Sequence, residues 1–371
     1  MKKKIFILTG ESSGDKLASN IIPYFNSKNF NITAIGSDHI KKKGIKLLFN
    51  SKEISVMGFA DVLKKVFFLK KKINLTISYL LKFKPDVIFS IDSPDFSFRV
   101  HNVIKKKLPQ TKIVHLVAPT IWVWRERRVL VFREFLDHLL LLFPFEAPLF
   151  TKWKMKNTYV GHPFFEKKII YKKFPINLQK KIITLCPGSR SSEIKTFMPI
   201  FVELIKEINF KYPDIFLFHF PVSFEHAKSV KDFLPSKKKL FFISSTEDKK
   251  NFYIKKSILS VAKSGTISLD ICKNKSPLIT IFKTSWFNYF LIKPFVKVKF
   301  ANIVNIIANK ELIPELIQSD CNASNIFKKV SLFIENKKVR TLNVSNYQKI
   351  IKKITKNNSS KLIAQTVKSY L

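Results

Sequence analysis

Two carboxylates follow an apolar run in the segment Ser90-Ile-Asp-Ser-Pro-Asp-Phe96. Residues 87–91 have the composition of a buried strand, so Asp92 is expected at the carboxyl end of that strand. A carboxylate there can act as a general base toward a hydroxyl group within hydrogen-bonding reach. Asp95 is expected either to cap the next helix or to orient a ligand. Asp92 is therefore the first candidate for a catalytic residue.

A second candidate loop is Thr9-Gly-Glu-Ser-Ser-Gly-Asp15, which also follows an apolar run. Its glycines allow the backbone to approach a ligand closely, and amides at the start of the next helix attract anions. The spacing is not GxGxxG, so it does not predict a dinucleotide site. The segment is either a ligand loop or a simple tight turn. In the first case Glu11 and Asp15 are further candidates for the base.

The third segment, Leu185-Cys-Pro-Gly-Ser-Arg-Ser-Ser-Glu193, has the residue types of an anion site. Backbone amides at the start of a helix can cradle a phosphate, and Arg190 adds a two-pronged donor. The second Gly and the Gly-Lys-Ser/Thr of a Walker loop are missing, which argues against a nucleoside-triphosphatase. Ser191 and Ser192 with Glu193 could equally serve only as a helix cap.

The fourth segment, Ala262-Lys-Ser-Gly-Thr-Ile-Ser-Leu-Asp270, again combines a strand end, a turn of small residues and a helix start. Asp270 lies about one helical turn beyond Thr266, where it could accept hydrogen bonds from ribose hydroxyls. The alternative is an ordinary helix start with a solvated carboxylate.

These four segments must be positioned by a regular scaffold, and short apolar runs alternate with longer amphipathic stretches along the whole chain. This alternation predicts βα units around parallel sheets, in which ligands bind at the carboxyl ends of strands. Residues 16–25 place their apolar side chains on one helical face. The expected strands are 4–9, 32–35, 87–91, 113–117 and 139–142, and then 182–185, 215–220, 240–243, 258–262 and 278–282.

The chain has 371 residues, of which 46% are hydrophobic, enough for two sizeable cores. The pattern pauses near residues 158–163, and a Lys-rich connection runs from 166 to 181. We therefore predict an α/β protein with two doubly wound domains, residues 1–168 and 169–344. A Lys-rich helical tail is expected at 345–371.

The chain is strongly basic, since 67 Lys and Arg against 26 Asp and Glu give a formal charge of +41. Such a surface attracts phosphates, anionic lipids or nucleic acid, although a general preference for Lys codons would also produce it. No motif that reads nucleic acid is present, so no nucleic-acid partner is expected. The histidines show no metal-ligand spacing, and neither HExxH nor Asp-x-Asp occurs.

Three cysteines, Cys186, Cys272 and Cys321, are odd in number and far apart, as in a reducing compartment. The apolar stretch 136–150 contains charges and prolines that argue against a membrane-spanning helix. Segments 62–83 and 284–300 mix Phe, Leu and Lys, which suits either a membrane interface or an ordinary amphipathic helix. From these residues we expect a protein that is cytosolic or lies on the face of an anionic membrane.

Taken together, these motifs resemble lipid-A-disaccharide synthase, an inverting glycosyltransferase family of the GT-B fold. The resemblance covers almost the whole chain. It rests on Gly-Glu-Ser-Ser-Gly-Asp at 10–15, Val-Met-Gly at 56–58, Ile-Asp-Ser-Pro-Asp-Phe at 91–96, Ala-Pro-Thr-Ile-Trp-Val-Trp-Arg at 118–125, Phe-Pro-Phe-Glu at 143–146, Gly-His-Pro at 161–163, Pro-Gly-Ser-Arg at 187–190 with Glu193, Ser-Gly-Thr at 264–266 and Glu-Leu-Ile-Pro-Glu-Leu-Ile-Gln at 311–318.

The resemblance implies transfer of 2,3-diacylglucosamine from UDP to 2,3-diacylglucosamine 1-phosphate, which forms a β-1,6-linked disaccharide and releases UDP. It implies no metal and no organic cofactor, and an enzyme at the inner face of a Gram-negative inner membrane. Two domains would face a central cleft, with the loops at 10–15 and 92–95 toward the acceptor.

The resemblance also implies the site residues. Asp92 and Arg190 would carry the chemistry, with Arg190 near the diphosphate and Asp270 near the ribose. Acceptor-side residues would be Gly10, Glu11, Ser12, Ser13, Gly14, Asp15 and Asp95. UDP-sugar-binding residues would be Gly188, Ser189, Arg190, Glu193, Ser264, Gly265, Thr266, Asp270, Asn305 and Gln318. The family usually has Glu at position 270 and Pro at position 304, where this chain has Asp270 and Val304.

Three alternatives remain to be separated from this one. A non-enzymatic lipid carrier would be indicated if Asp92 and Arg190 proved dispensable. Another GT-B transferase that uses UDP-N-acetylglucosamine would share the domain layout but lack the segments at 91–96 and 122–124. A basic nucleic-acid-binding protein would bind RNA or DNA tightly at physiological salt in a gel shift.

Overall fold

The computed structural model describes residues 2–25, 29–54, 62–121, 126–166, 169–175, 179–235, 240–285, 289 and 298–371. These residues form two compact units, each described here by itself. The first unit comprises Met1–Lys167 together with Ile354–Leu371, and the second comprises Lys168–Lys353. The segments at 56–58 and 122–125, and most of 284–300, lie outside the described residues.

The first unit contains a parallel sheet of seven strands in the order β3-β2-β1-β4-β5-β6-β7. The order reverses between β1 and β4, and the loops that follow these two strands therefore begin at the switch point where open α/β sheets bind ligands. The strands are β1 Lys3–Thr9, β2 Phe30–Gly36, β3 Lys46–Asn50, β4 Val87–Ile91, β5 Lys112–Leu116, β6 His138–Leu141 and β7 Asn157–Tyr159.

Both faces of this sheet are covered. Along β1, Phe6 and Leu8 pack into one apolar cluster, whereas Ile5 and Ile7 pack into another on the opposite face. This is why the strands read as continuous apolar runs. The helices of this unit are α1 Ser12–Ile21, α2 Asp38–Lys41, α3 Val62–Phe83, α4 Pro94–Lys107, α5 Val129–Arg133 and α6 Glu146–Thr151, with 3₁₀ turns at Ile22–Tyr24, Ser51–Glu53, Glu126–Arg128 and Pro163–Phe165.

The second unit repeats this plan with six parallel strands in the order β10-β9-β8-β11-β12-β13. Its switch point lies between β8 and β11. The strands are β8 Lys181–Cys186, β9 Phe216–Pro221, β10 Phe241–Ser244, β11 Ser257–Lys263, β12 Leu278–Phe282 and β13 Glu315–Ile317. The helices are α7 Ser191–Lys211, α8 Phe224–Lys231, α9 Glu247–Lys256, α10 Ile267–Lys273, α11 Ile303–Ala308, α12 Ala323–Glu335 and α13 Lys337–Ile354.

The last helix, α14 Ser359–Lys368, belongs to the first unit. Ile363 and Val367 are buried in the cluster that also holds Ile5 and Ile7. The carboxylate of Glu166 accepts hydrogen bonds of 2.6 Å from both the amide and the hydroxyl of Ser360. The tail expected at 345–371 is helical, but residue 345 lies inside α13, so the chain changes units only near residue 354.

The expected fold class is confirmed, because all ten expected strands lie on observed strands of two parallel sheets. Three further strands, β3, β7 and β13, were not expected. The three cysteines are buried and unpaired. No helix in the described ranges is long and apolar enough to cross a membrane.

Candidate active site

The first two candidate loops lie side by side in the first unit. Thr9, at the end of β1, pairs with Ile91 at the end of β4. A Cβ on Gly10 would overlap the side chain of Ser93, and one on Gly14 would lie 3.0 Å from the carbonyl oxygen of Ile91. Any larger residue at either position would push the two loops apart. The glycines are therefore needed for close contact between the loops.

Asp92 lies where these loops meet, in an unusual backbone conformation. Its φ is +60° and that of Ser93 is +50°, so two successive non-glycine residues occupy the left-handed region. Such conformations cost energy and concentrate at functional sites. One carboxylate oxygen of Asp92 accepts from the hydroxyl of Ser13 at 3.2 Å, and the other accepts from the amide of Ser93 at 2.8 Å. The half-buried carboxylate is thus held at the loop edge.

Asp15 lies in the same loop but its carboxylate is enclosed. It is 1% exposed and accepts hydrogen bonds from the hydroxyls of Thr9 and Ser51 and from the amide of Ser37. These partners lie at the ends of β1 and β3 and beyond β2. In this conformation Asp15 joins neighbouring strand ends and does not face solvent. The carboxylate of Glu11, in contrast, is exposed just before α1.

Asp95 does not have the capping position expected from its spacing. The N-cap of α4 is Ser93, and Asp95 lies exposed in the first helical turn. The helix begins at Pro94, directly after the left-handed residues 92 and 93, which is two residues earlier than it would begin with Asp95 as its N-cap. Of the two roles expected for Asp95, the cap is therefore wrong, and the orientation of a ligand stays a prediction. The side chain of Ser12 lies outside what the structure describes.

In the second unit, the loop after β8 is organised by Glu193. One of its carboxylate oxygens accepts from the amides of Ser189, at 2.8 Å, and Arg190, at 3.3 Å. Lys263 lies 2.8 Å from the other oxygen. Gly188 has a φ of +115°, and a Cβ there would collide with Glu193. The amides of Ser189 and Arg190 thus bind a carboxylate of the chain itself.

The charge of Glu193 is stabilised by this arrangement. Burial raises the pKa of its carboxyl group, but Lys263 and the amide of Ser189 outweigh that effect and leave the pKa below its ordinary value. Arg190 is exposed at the N-cap of α7. His226 donates from Nε2 to the carbonyl of Ser189 at 3.0 Å, which braces the loop from α8.

The turn at 264–266 follows β11, the neighbour of β8. The hydroxyl of Ser264 donates to the carbonyl of Ala301 at 2.6 Å, which ties the turn to the chain just before α11. Asp270 is half-buried, and its carboxylate accepts from Lys250 at 2.8 Å. Burial lowers the pKa of Lys250, but Asp270 and Glu247 outweigh it, so the pKa lies above its ordinary value. The carboxylate proposed for a ribose is therefore already paired.

Asn305 and Gln318 are buried and bonded within the protein. The amide nitrogen of Asn305 donates to the carbonyl of Ile313 and to Glu315, each at 2.7 Å, and its oxygen accepts from two amides of the same turn. The side chain of Gln318 bonds to both backbone groups of Thr284. Both side chains hold loops in this conformation and expose little to a ligand.

The structure thus groups Asp92 with the loop at 10–15 in the first unit, and Arg190 and Glu193 with the turn at 264–266 in the second. Sequence reasoning missed Lys250, Lys263 and His226. Lys263 could have been singled out, since it directly precedes Ser-Gly-Thr at a strand end. Lys250 and His226 lie on helices far from any motif.

Two doubly wound parallel sheets, each with candidate loops at its switch point, are the arrangement of GT-B glycosyltransferases and related epimerases. The UDP-GlcNAc 2-epimerase from Neisseria meningitidis bound to UDP-GlcNAc has a TM-score of 0.67 at 14% identity, covering 99% of this chain and 100% of that chain. MurG from Acinetobacter baumannii has a TM-score of 0.57 at 9% identity, covering 99% of each chain. At these identities the likeness concerns the fold alone.

The family model for lipid-A-disaccharide synthetase matches residues 5–368. The lipid-A-disaccharide synthase of Rickettsia bellii is 33% identical over 361 residues, covering 95% of this chain and 94% of the relative. That of Rickettsia prowazekii is 32% identical, with the same coverage. The chain belongs to the lipid-A-disaccharide synthetase family, which confirms the family expected from the motifs.

Proposed function

We propose that this chain transfers 2,3-diacylglucosamine from its UDP derivative to the 6-hydroxyl of 2,3-diacylglucosamine 1-phosphate. The products are UDP and the β-1,6-linked disaccharide 1-phosphate of lipid A. The observation that carries this proposal is the family match over residues 5–368, which includes both units and every loop described above. The relatives of that name match over nearly their whole length as well.

Asp92 is the proposed general base. The acceptor oxygen attacks the anomeric carbon as the bond from that carbon to the UDP oxygen breaks, and the hydroxyl proton passes to Asp92. A sugar hydroxyl is too weak an acid to ionise alone near neutral pH, so proton removal must accompany attack. The strained backbone at Asp92 and its two donors, Ser13 and Ser93, support this role. A single displacement of this kind inverts the anomeric configuration.

Arg190 is the proposed partner of the UDP diphosphate. It stands at the amino end of α7, whose 21 residues direct the positive end of the helix dipole toward an anion. A guanidinium group can bridge two phosphate oxygens and stabilise the charge that develops on the leaving UDP. The turn at 264–266 and Asp270 would border the sugar part of the nucleotide. In this proposal the positive charge comes from the protein, and the reaction needs no metal.

The function is tested by incubating the full chain with UDP-2,3-diacylglucosamine and the 1-phosphate acceptor. We expect UDP release together with formation of the disaccharide, and the same rate after addition of EDTA. UDP-N-acetylglucosamine, which lacks the acyl chains, should not replace the donor. A folded protein that releases no UDP would contradict the proposed function, whereas loss of activity in EDTA would contradict only the metal independence.

We further propose that α3 binds the membrane that holds these lipid substrates. Its inner face packs Leu69, Ile73 and Ile77 against the core of the first unit. Its outer face exposes Phe67, at 75%, beside the exposed Lys70. Exposed apolar side chains among lysines suit an anionic bilayer surface, to which the net charge of +41 is also attracted. This would place the enzyme peripherally at the cytoplasmic face of the inner membrane.

Binding to anionic vesicles is expected to fall as salt rises, because the attraction is screened within about 8 Å at physiological ionic strength. Each basic residue near such a surface contributes about 1 kcal/mol. Lys70→Glu with Lys71→Glu should therefore weaken vesicle co-sedimentation at least about tenfold. UDP affinity should not change.

The matched control is Lys328→Glu with Lys329→Glu, which makes the same charge change on an exposed pair of α12 in the second unit. If both pairs weaken binding equally, the attraction comes from net charge and α3 has no special role. An affinity for vesicles that does not change with salt concentration would contradict the electrostatic part of the proposal.

A further inference from the structure

Lys263 lies between the two loops of the second unit that carry the nucleotide-binding motifs. Its ammonium nitrogen is 2.8 Å from Glu193, in the loop after β8. The same nitrogen lies 4.0 Å from the point that a Cβ on Gly265 would occupy, so the side chain also reaches the turn after β11. This cation therefore belongs to the residue that directly precedes one of the segments and forms an ion pair with a carboxylate of the other.

The sheet register explains this position. Ala262 pairs with Cys186 in the parallel ladder of β11 and β8. Lys263 and Pro187 consequently leave neighbouring strands at the same edge, where the strand order reverses. Ligands of open α/β sheets bind at this point.

The contact with Glu193 leaves Lys263 with N–H donors for a second acceptor. The side chains of Lys263 and Glu193 are only 21% and 15% exposed, so their charges are partly withdrawn from water. An ammonium group carries three donors, and a single contact with a carboxylate engages one of them. Because the amides of Ser189 and Arg190 bind the other oxygen of Glu193, that carboxylate does not depend on Lys263 alone.

We infer that Lys263 is a second cation of the nucleotide-diphosphate subsite, beside Arg190. The inference rests on the proposed function, because it requires UDP to bind at the loops after β8 and β11. Lys263 keeps its contact with Glu193 and donates to a diphosphate oxygen from the remaining N–H groups. It acts as a point charge, whereas Arg190 supplies a two-pronged contact.

The competing role is purely structural: Lys263 would hold Glu193, and Glu193 would hold the loop. The two roles differ when Glu193 is neutralised. If Lys263 acts only through Glu193, its removal has no further effect in a Glu193→Gln protein. If it touches the diphosphate, its removal weakens UDP binding in both backgrounds.

The test is calorimetric binding of UDP to the full chain at constant ionic strength. Lys263→Met is expected to weaken UDP binding at least about tenfold, as for the loss of a hydrogen bond to a charged group. A similar loss is expected when Glu193→Gln is already present. Lys263→Arg, which keeps the charge, should retain most of the affinity. The control is Lys256→Met, which removes the same charge from an exposed residue that directly precedes β11, at the end of the strand opposite Lys263.

Wild-type affinity in Lys263→Met would overturn the inference, and so would a loss that disappears in the Glu193→Gln background. Equal losses in the Met and Arg variants would also overturn it, because they would indicate a packing role. A wild-type protein that binds no UDP would instead overturn the proposed function and this inference together.

Discussion

Arg190→Lys is expected to lower turnover about a hundredfold, the scale found when one preorganised donor to a developing charge is removed. The substitution keeps the positive charge at the amino end of α7. It removes the planar guanidinium group, which can bond two phosphate oxygens at once. The ammonium group of lysine offers only a single point of contact. The measurement is the rate of UDP release at saturating concentrations of both lipid substrates.

Arg133→Lys is the matched control, because Arg133 is exposed on α5 of the first unit and donates to the backbone carbonyl of Trp153 at 2.9 Å, whereas the proposed nucleotide site lies in the second unit. That variant should turn over as the wild type does. Since Arg190 is exposed, Arg190→Lys should also melt at the wild-type temperature. Near-normal turnover in Arg190→Lys would contradict the proposed contact with the diphosphate and would indicate that Arg190 has only a structural role at the start of α7.

Most of the strands that the sequence predicts are largely buried on both faces, although β10, a half-buried edge strand, was predicted as well. Ile5, Phe6, Ile7 and Leu8 are each fully buried, so no polar residue interrupts the run. The missed strands have no such run. β7 and β13 contain three residues each, and β3 is half-buried at the sheet edge, with Lys46 exposed. A short edge strand forms because it pairs with a neighbouring strand, and the local sequence pattern carries no information about that pairing.

The positions of the candidate loops at strand ends were predictable from the sequence, whereas the surroundings of their single side chains were not. Strand ends and glycines located the segments at 10–15, 92–95, 187–193 and 264–266. Spacing alone does not show whether a polar side chain is enclosed. Asp15 lies in one of these segments and Asn305 was assigned to the UDP-sugar site, but both side chains are buried and bonded internally. Lys263 was given no role, although its ammonium group lies 2.8 Å from the carboxylate of Glu193. Such contacts join residues far apart in the chain.

A substitution at Asp92 can separate the structural role of its side chain from its proposed role as the general base. Asparagine, like aspartate, tolerates the left-handed backbone that this position requires. Its side-chain oxygen can still accept a hydrogen bond from Ser13 or from the amide of Ser93. Asp92→Asn therefore keeps the size and most of the hydrogen bonding of the loop while removing the basic group.

We expect Asp92→Asn to lower turnover by about two to four decades, the usual contribution of a general base, and to leave UDP affinity unchanged. The control is Asp86→Asn, the same exchange at the residue that directly precedes β4, at the end opposite Asp92. Asp86 accepts a hydrogen bond from the amide of Lys4, and this variant should keep normal turnover. Turnover and UDP affinity are measured on both purified proteins. If Asp92→Asn turns over normally while Glu11→Gln or Asp15→Asn is inactive, the base lies in the first loop and the assignment to Asp92 is wrong.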